Sequence, residues 1–304
     1  MNVIEPYGVG AAQIVAHNIA PKVSDYWNPS TSYTVGEQVI LEAATVIYES
    51  VSEGNLGNDP ASDNGTNWIA TGATNLWRLF DRKIADQTEN AGTIEVELSV
   101  YRLVTAVAFF NLEAAQVTVT VLDDADPGVE VFSETRVLVD DDDITDWWTF
   151  FTNDLDVFYT ESLIDGFAAY PGYRLRIVIG DGTGTPACGQ IAFGKAVNLG
   201  RTRPGSTIGL TSFSTKEQDD WGNWVIVPRA KSDPMDVEFS IPAAHARRTK
   251  RLLEGLRDVP AVYYADAELV ETHGAITYGF FQDFEIPLQK VGLSIVQLEL
   301  EGLV

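Results

Sequence analysis

The chain has a single cysteine, Cys188, and only three histidines, His17, His245 and His273, in 304 residues. One thiol forms no internal disulfide and builds no cysteine-based zinc site, so Cys188 is expected to be a small core or loop residue. The histidines are far apart, with neither an H-E-x-x-H pattern nor a paired spacing, and read as surface or capping residues. No apolar run approaches the ~20 residues that span a bilayer, so no membrane insertion is expected. The opening Met1-Asn2-Val3-Ile4-Glu5-Pro6 has no basic start and no long apolar block. No secretory signal is expected from it, and synthesis in the cytoplasm is. Basic residues are also scarce: 20 Lys and Arg stand against 44 Asp and Glu, a net charge of −24. So acidic a surface repels nucleic acid and anionic membranes, which are not expected partners, and keeps copies soluble before assembly.

Catalytic motifs are missing too. There is no G-x-S-x-G elbow and no P-loop. Gly180-Asp181-Gly182-Thr183-Gly184 follows a strand pattern but runs into Thr185-Pro186, not a helix, and reads as a turn between strands. A glycosidase needs two carboxylates across a cleft, and nothing singles out such a pair. No enzyme activity and no cofactor are expected. The acid run Asp140, Asp141, Asp142 and Asp143, near Asp123, Asp124 and Asp126, offers oxygen ligands of the kind calcium takes. It lacks the spacing of a defined calcium loop, and a solvated loop is the simpler reading.

What is present is β-rich. Hydrophobic residues make up 45% of the chain, enough for packed cores, and the length suits two or three domains. Residues 93–100 place Ile94, Val96, Leu98 and Val100 on one face against Thr93, Glu95, Glu97 and Ser99, the period of two of a half-buried strand. The same pattern predicts strands over 104–111, 116–122, 129–139 and 173–179, and so an antiparallel sandwich or jelly roll over 73–200. Arg201-Thr202-Arg203-Pro204-Gly205 is a boundary candidate. Beyond it, strands are expected over 225–227, 236–241, 261–265, 278–285 and 291–300. A helix is expected over 243–256, with Pro242 in its first turn and a stop near Gly255. That makes 201–304 an α+β domain. Residues 1–24 read as an extended arm or a first strand.

Between these lies a dense aromatic run over 25–72. Strands are expected over 35–41 and 45–50, then a long Gly-, Asn- and Asp-rich loop closed by Trp68. Trp27, Tyr33, Tyr48 and Trp68 match the flat apolar faces of sugars, yet a module this small also needs large side chains for a core. Trp68 and Tyr48 are the better core candidates. Trp27 and Tyr33 fit either role.

Three further features suggest contacts between proteins. Trp147-Trp148, followed by Phe150 and Phe151, would point to opposite faces if the segment were a strand. Trp221 and Trp224 flank Gly222-Asn223 in a turn, and Trp is favoured at interface hot spots. The predicted helix carries Arg247, Arg248, Lys250 and Arg251, with Arg257 close behind, against Glu254 and Asp258. In so acidic a chain, that patch suits an acidic neighbour, including a second copy.

The spacing of Trp27, Tyr33, Gly36, Val39, Tyr48 and Trp68 resembles the small chitin-binding modules of chitinases and of bacteriophage tail proteins. Together with Asn2-Val3-Ile4-Glu5-Pro6, Gly54-Asn55-Leu56-Gly57-Asn58-Asp59-Pro60 and Ala73-Thr74-Asn75-Leu76-Trp77-Arg78-Leu79-Phe80-Asp81, the order resembles tail proteins of long-tailed phages. In these the sandwich is similar to galactose-binding-type jelly rolls. The resemblance implies a tail-tip or baseplate component of the virion, a homo-oligomer among other tail proteins, whose module contacts host-surface glycans. A purely architectural tail protein and a glycan-degrading tail enzyme are the alternatives; release of reducing sugar would mark the enzyme.

Overall fold

The computed structural model describes the chain except residues 23–24, 42–44, 126–127, 140–145, 153–158, 219–220, 267–268, 271–272, 288–291 and 304, and the side chains of 149, 150 and 152. The acid run Asp140, Asp141, Asp142 and Asp143 lies outside the described residues. The fold is mainly β, in curled antiparallel sheets, with one substantial helix.

The predicted sandwich is present. A five-stranded sheet runs in the order Glu130–Val137, Gln116–Leu122, Arg174–Ile179, Ile94–Ser99 and Ile14–His17. Its alternating residues Ile94, Val96, Leu98, Val117, Val119, Val121, Leu175 and Ile177 are buried. Facing them are Val107, Phe109, Ile164, Cys188 and Phe193, from the strands Val104–Glu113, Glu161–Ala169 and Ala187–Asn198. Each such side chain contributes roughly 1.5–3 kcal/mol on leaving water. The outer face is polar, and there Arg174 pairs with Glu97 at 2.8 Å and Arg176 with Glu95 at 3.2 Å. The chain crosses between the sheets at nearly every connection, the exception being the hairpin from Gln116–Leu122 to Glu130–Val137. Asp123 caps that hairpin by accepting the Ala125 and Val129 amides.

Two strands of the sandwich escape sequence reading, each for its own reason. Ala187–Asn198 is buried on both faces over most of its length and shows no alternation. Glu161–Ala169 is interrupted by Gly166 at φ +83°, where the pairing with Val104–Glu113 shifts register.

Of the two readings of 1–24, extended arm or first strand, the opening residues follow the second. Asn2–Pro6 is an interior strand, paired antiparallel to Ala187–Asn198 on one side and to Ala261–Tyr264 on the other. Val3 and Ile4, on opposite faces, are 1% and 0% exposed and enter two different cores. So short a segment, buried on both sides, gives no periodicity to read. Beside it, any side chain at Gly194 would overlap the Glu5 carbonyl, so the two backbones meet without one.

Through this strand the sheet continues past Arg201, where a boundary was expected. Ile276–Glu285, Leu293–Gly302 and Met235–Pro242 follow in order, with Arg201–Thr202 and Thr207–Ile208 paired to the last. One face carries Val237, Phe239, Tyr263, Val296 and Leu298, covered by the helix Ala246–Gly255 through Leu253 and, just beyond its end, Leu256. The other face curls inward. Phe110 and Tyr278 stack with ring centroids 5.6 Å apart. Three strands lie between their own, a separation of ~19 Å if the sheet were flat.

Residues 25–72 form the small module. Gln38–Ile40, Val46–Ser50 and Trp68–Ala73 make a three-stranded sheet, and Ser32–Tyr33 pairs with Asn55–Leu56. The following stretch ties it to the sandwich. Buried Asn75 donates to the Ala20 and Glu89 carbonyls, and Leu79 sits fully buried in the sandwich core.

Ile4→Ala is expected to cost about 2–5 kcal/mol, read by urea denaturation. Because one strand serves both halves, the loss is expected as one shared transition. Separate transitions of the sandwich and the C-terminal half would contradict this coupling.

Candidate functional site: an aromatic module and a projecting hairpin

The four module aromatics converge on one point. Tyr33 and Trp68 are 7% and 2% exposed and meet edge to face at 5.1 Å. Trp27 and Tyr48 are half-buried against the same cluster with Val39. Trp68 Nε1 donates to the Asn58 carbonyl at 2.9 Å, and the Asn28 amide donates to the Tyr33 hydroxyl at 2.7 Å. Of the two residues open to either role, Tyr33 belongs to the core. Tyr48, a core candidate, is partly accessible. The aromatic most available to a ligand is Tyr26, 60% exposed, on the flank of Trp27. The Asp25-Tyr26-Trp27 run held that signal, but spacing alone does not say which ring turns outward.

Trp68 is positioned by its loop. The Asp63 carboxylate accepts hydrogen bonds from the Asn67 side chain and from the backbone amides of Gly65, Asn67 and Trp68. The Asn67 side-chain bond, then the Asn67 and Trp68 amides, hold Asp63 well below the usual carboxylate range, at about 2. Buried Asn55 completes the loop by donating to Ser50 Oγ and the Asn67 carbonyl.

The C-terminal half presents a second feature. From the edge pair of Thr207–Ile208 with Met235–Pro242, the chain leaves the body as a ribbon. Thr211–Ser212 pairs with Lys231–Ser232, then Thr215–Gln218 with Trp224–Val227. The outer pair forms its own two-stranded sheet. A lone two-stranded hairpin is marginal in water. Here the strand Trp224–Val227 is exposed throughout and apolar on both faces, Trp224 and Ile226 on one and Val225 and Val227 on the other. Its partner strand is Thr215-Lys216-Glu217-Gln218, polar on both faces. Leu210 and Phe213 extend the apolar surface toward the body at 64% and 46% exposure. As expected, Trp221 lies in the turn before Trp224, with Gly222 at φ +88°. The unbroken apolar run Trp224-Val225-Ile226-Val227 was visible in the sequence, but it reads equally as a buried strand.

Trp147 and Trp148 are not in a strand. They open the six-residue helix Trp147–Thr152, where Trp147 and Phe151, one turn apart, stack at 6.2 Å. Trp147, Trp148 and Phe151 are each at least 74% exposed, so helical spacing places them on the surface without opposing one another. The basic helix matches its expectation in shape. Arg247, Arg248, Lys250 and Arg251 face solvent while Thr249 and Leu253 face the core. Lys250 pairs with Glu254 at 3.5 Å.

Cys188 is fully buried, and burial pushes its thiol up to about 12. His17, His245 and His273 are exposed and stand apart. Among the described residues no three His, Cys, Asp or Glu side chains group to hold a metal, and no helix is long and apolar enough to cross a membrane. Comparison with protein-family models, with curated proteins and with solved structures gave no match.

Asp63 carries a pH prediction. Its pKa is depressed in the folded module, so its stabilisation is present above the ordinary carboxylate pKa and is lost as pH falls through about 2. Asp63→Ala should remove it at every pH. Amide exchange at Trp68 is expected to be slow at pH 5 in the wild type and fast in the variant. Equal exchange rates would show that the loop is held by other means.

Proposed function

We propose that this protein is a structural subunit of a phage tail tip or baseplate, made in the host cytoplasm and carried in the virion. It would assemble with copies of itself and with other tail proteins. The observation that supports this best is the projecting hairpin. An apolar strand exposed on both faces and open along one edge is unfavourable in isolation and complete only beside another chain. Addition of a strand along that edge would satisfy its backbone groups, and a surrounding surface would cover Trp224, Ile226 and Val225. A second copy is the occupant we favour. The solvent-facing guanidiniums of Arg247, Arg248 and Arg251 add charge complementarity toward the acidic surface of a neighbour. Such a contact joins different surfaces of the two copies, so it is heterologous and closes into a ring when the rotation permits.

Within that reading the module is an outward-facing appendage that contacts host glycans. Because Tyr33 and Trp68 serve its core, the sugar-facing role falls to Tyr26 with the accessible parts of Trp27 and Tyr48. Several copies in a ring would turn weak single-site binding into useful avidity.

Two measurements test the proposal. The Trp224→Ser, Ile226→Ser double variant should melt within a degree or two of the wild type, because both side chains are exposed, yet sediment as a smaller species. An unchanged sedimentation distribution would remove the hairpin from assembly. On a glycan array, a Tyr26→Ala, Trp27→Ala variant should lose signals that the wild type gives. A folded wild type that binds no glycan would leave the module a purely architectural role.

A further inference from the structure

Inside the curl of the large sheet lies a cavity of about 290 Å³, with Ile84, Phe110, Ile276 and Tyr278 among its walls. The stacked rings of Phe110 and Tyr278 make one side of it. A second, wider cavity of about 850 Å³ adjoins it, and the two share Thr160, Glu161, Lys231, Asp233, Ile276 and Thr277. Glu161 therefore stands where the two spaces meet. It is placed there by its pairing opposite Phe110.

The Glu161 carboxylate is half-buried, and among the described residues it accepts no hydrogen bond and contacts no cation. Burial first, and the nearby Asp233 carboxylate second, push it up to about 7, while the Lys231 ammonium pulls the other way. Lys231 does not relieve it by contact: that side chain is largely exposed and reaches toward Asp233, at 4.0 Å. Arg229, the other cation on the wall, is exposed at the root of the hairpin. The cations on the wall are thus exposed, and the Glu161 carboxylate is the more buried charge, among aromatic and aliphatic neighbours. A partly desolvated carboxylate without a partner is costly to keep.

We propose that this cavity is a binding site for an alkylammonium group, with Glu161 as its counter-ion and Phe110 and Tyr278 as the aromatic wall. The ammonium would supply the missing hydrogen bonds to the carboxylate, the aromatic faces would attract its charge, and its alkyl body would lie along Ile84 and Ile276. The assignment is independent of any role in a tail. A free amine or the side chain of a protein lysine presents the same chemistry.

Calorimetric titration of the full chain tests it with n-butylamine, 1-butanol and butyrate. Butylamine is expected to bind at pH 8 and the other two not. Its affinity should fall by up to about tenfold at pH 6, where Glu161 takes up a proton while the amine stays charged. Asp233, Lys231 and Arg229 are the other charged groups on the cavity wall, and Arg136 and His273 line the wider cavity. Glu161→Gln is expected to lose the butylamine affinity. It should also melt higher than the wild type at pH 8: a carboxyl whose pKa is raised on folding stabilises the fold below its ordinary pKa and loses that contribution as pH rises through 7. This second readout confirms that the variant is folded. Tighter binding of Nα-acetyl-lysine methylamide than of butylamine would identify a protein lysine as the natural occupant, and the reverse a free amine. Equal binding of amine and alcohol, or full affinity in the folded Glu161→Gln variant, would overturn the proposal, as would a wild type that binds no amine.

Discussion

The two-sided pairing of Asn2–Pro6 is the constraint on which the rest of the molecule depends. Without it, Ala187–Asn198 and Ala261–Tyr264 would each show an open edge, and the sandwich and the C-terminal half would be separate bodies. With it, one sheet runs through both. Because Val3 and Ile4 point to opposite faces, five residues help to seal two cores at once. The curl that brings Phe110 to Tyr278 is a property of this continuous sheet, and so is the cavity beside Glu161. The hairpin springs from the far edge of the same sheet, so it projects from a rigid frame and not from a flexible linker.

Much of the sandwich was legible because its strands have one wet face. Alternation such as Ile94, Val96, Leu98 against Glu95 and Glu97 exists only where one side meets water. Strands buried on both sides carry no such contrast: Ala187–Asn198 was invisible, and Asn2–Pro6 could not be told from an extended arm. The helix Ala246–Gly255 was readable from its composition and its flanking Pro242, whereas the six residues from Trp147 are too short for a helical period to emerge.

The candidate site was legible only in part. An aromatic residue serves a small core and a ligand surface by the same means, its large flat area. Tyr33 packs against Trp68, whose loop Asp63 holds far along the chain, while Tyr26 turns outward. Glu161 was one acid among many in the sequence. Its isolation arises from the curl of a sheet whose strands come from distant parts of the chain, and no local pattern records that.

The hairpin's division into an apolar strand and a polar strand has a kinetic consequence. Trp224–Val227 is an uncharged, β-prone segment with one edge unpaired among the described residues, the kind of segment that seeds fibres. Lys216 and Glu217 on the facing strand, with Arg229 and Lys231 just downstream, place charge around it, the arrangement of gatekeeper residues. The mutual repulsion of chains at −24 slows every chance encounter as well. If copies assemble through this strand as proposed, closure of a finite ring would compete with open-ended polymerisation, and the charge around the strand would favour the closed product.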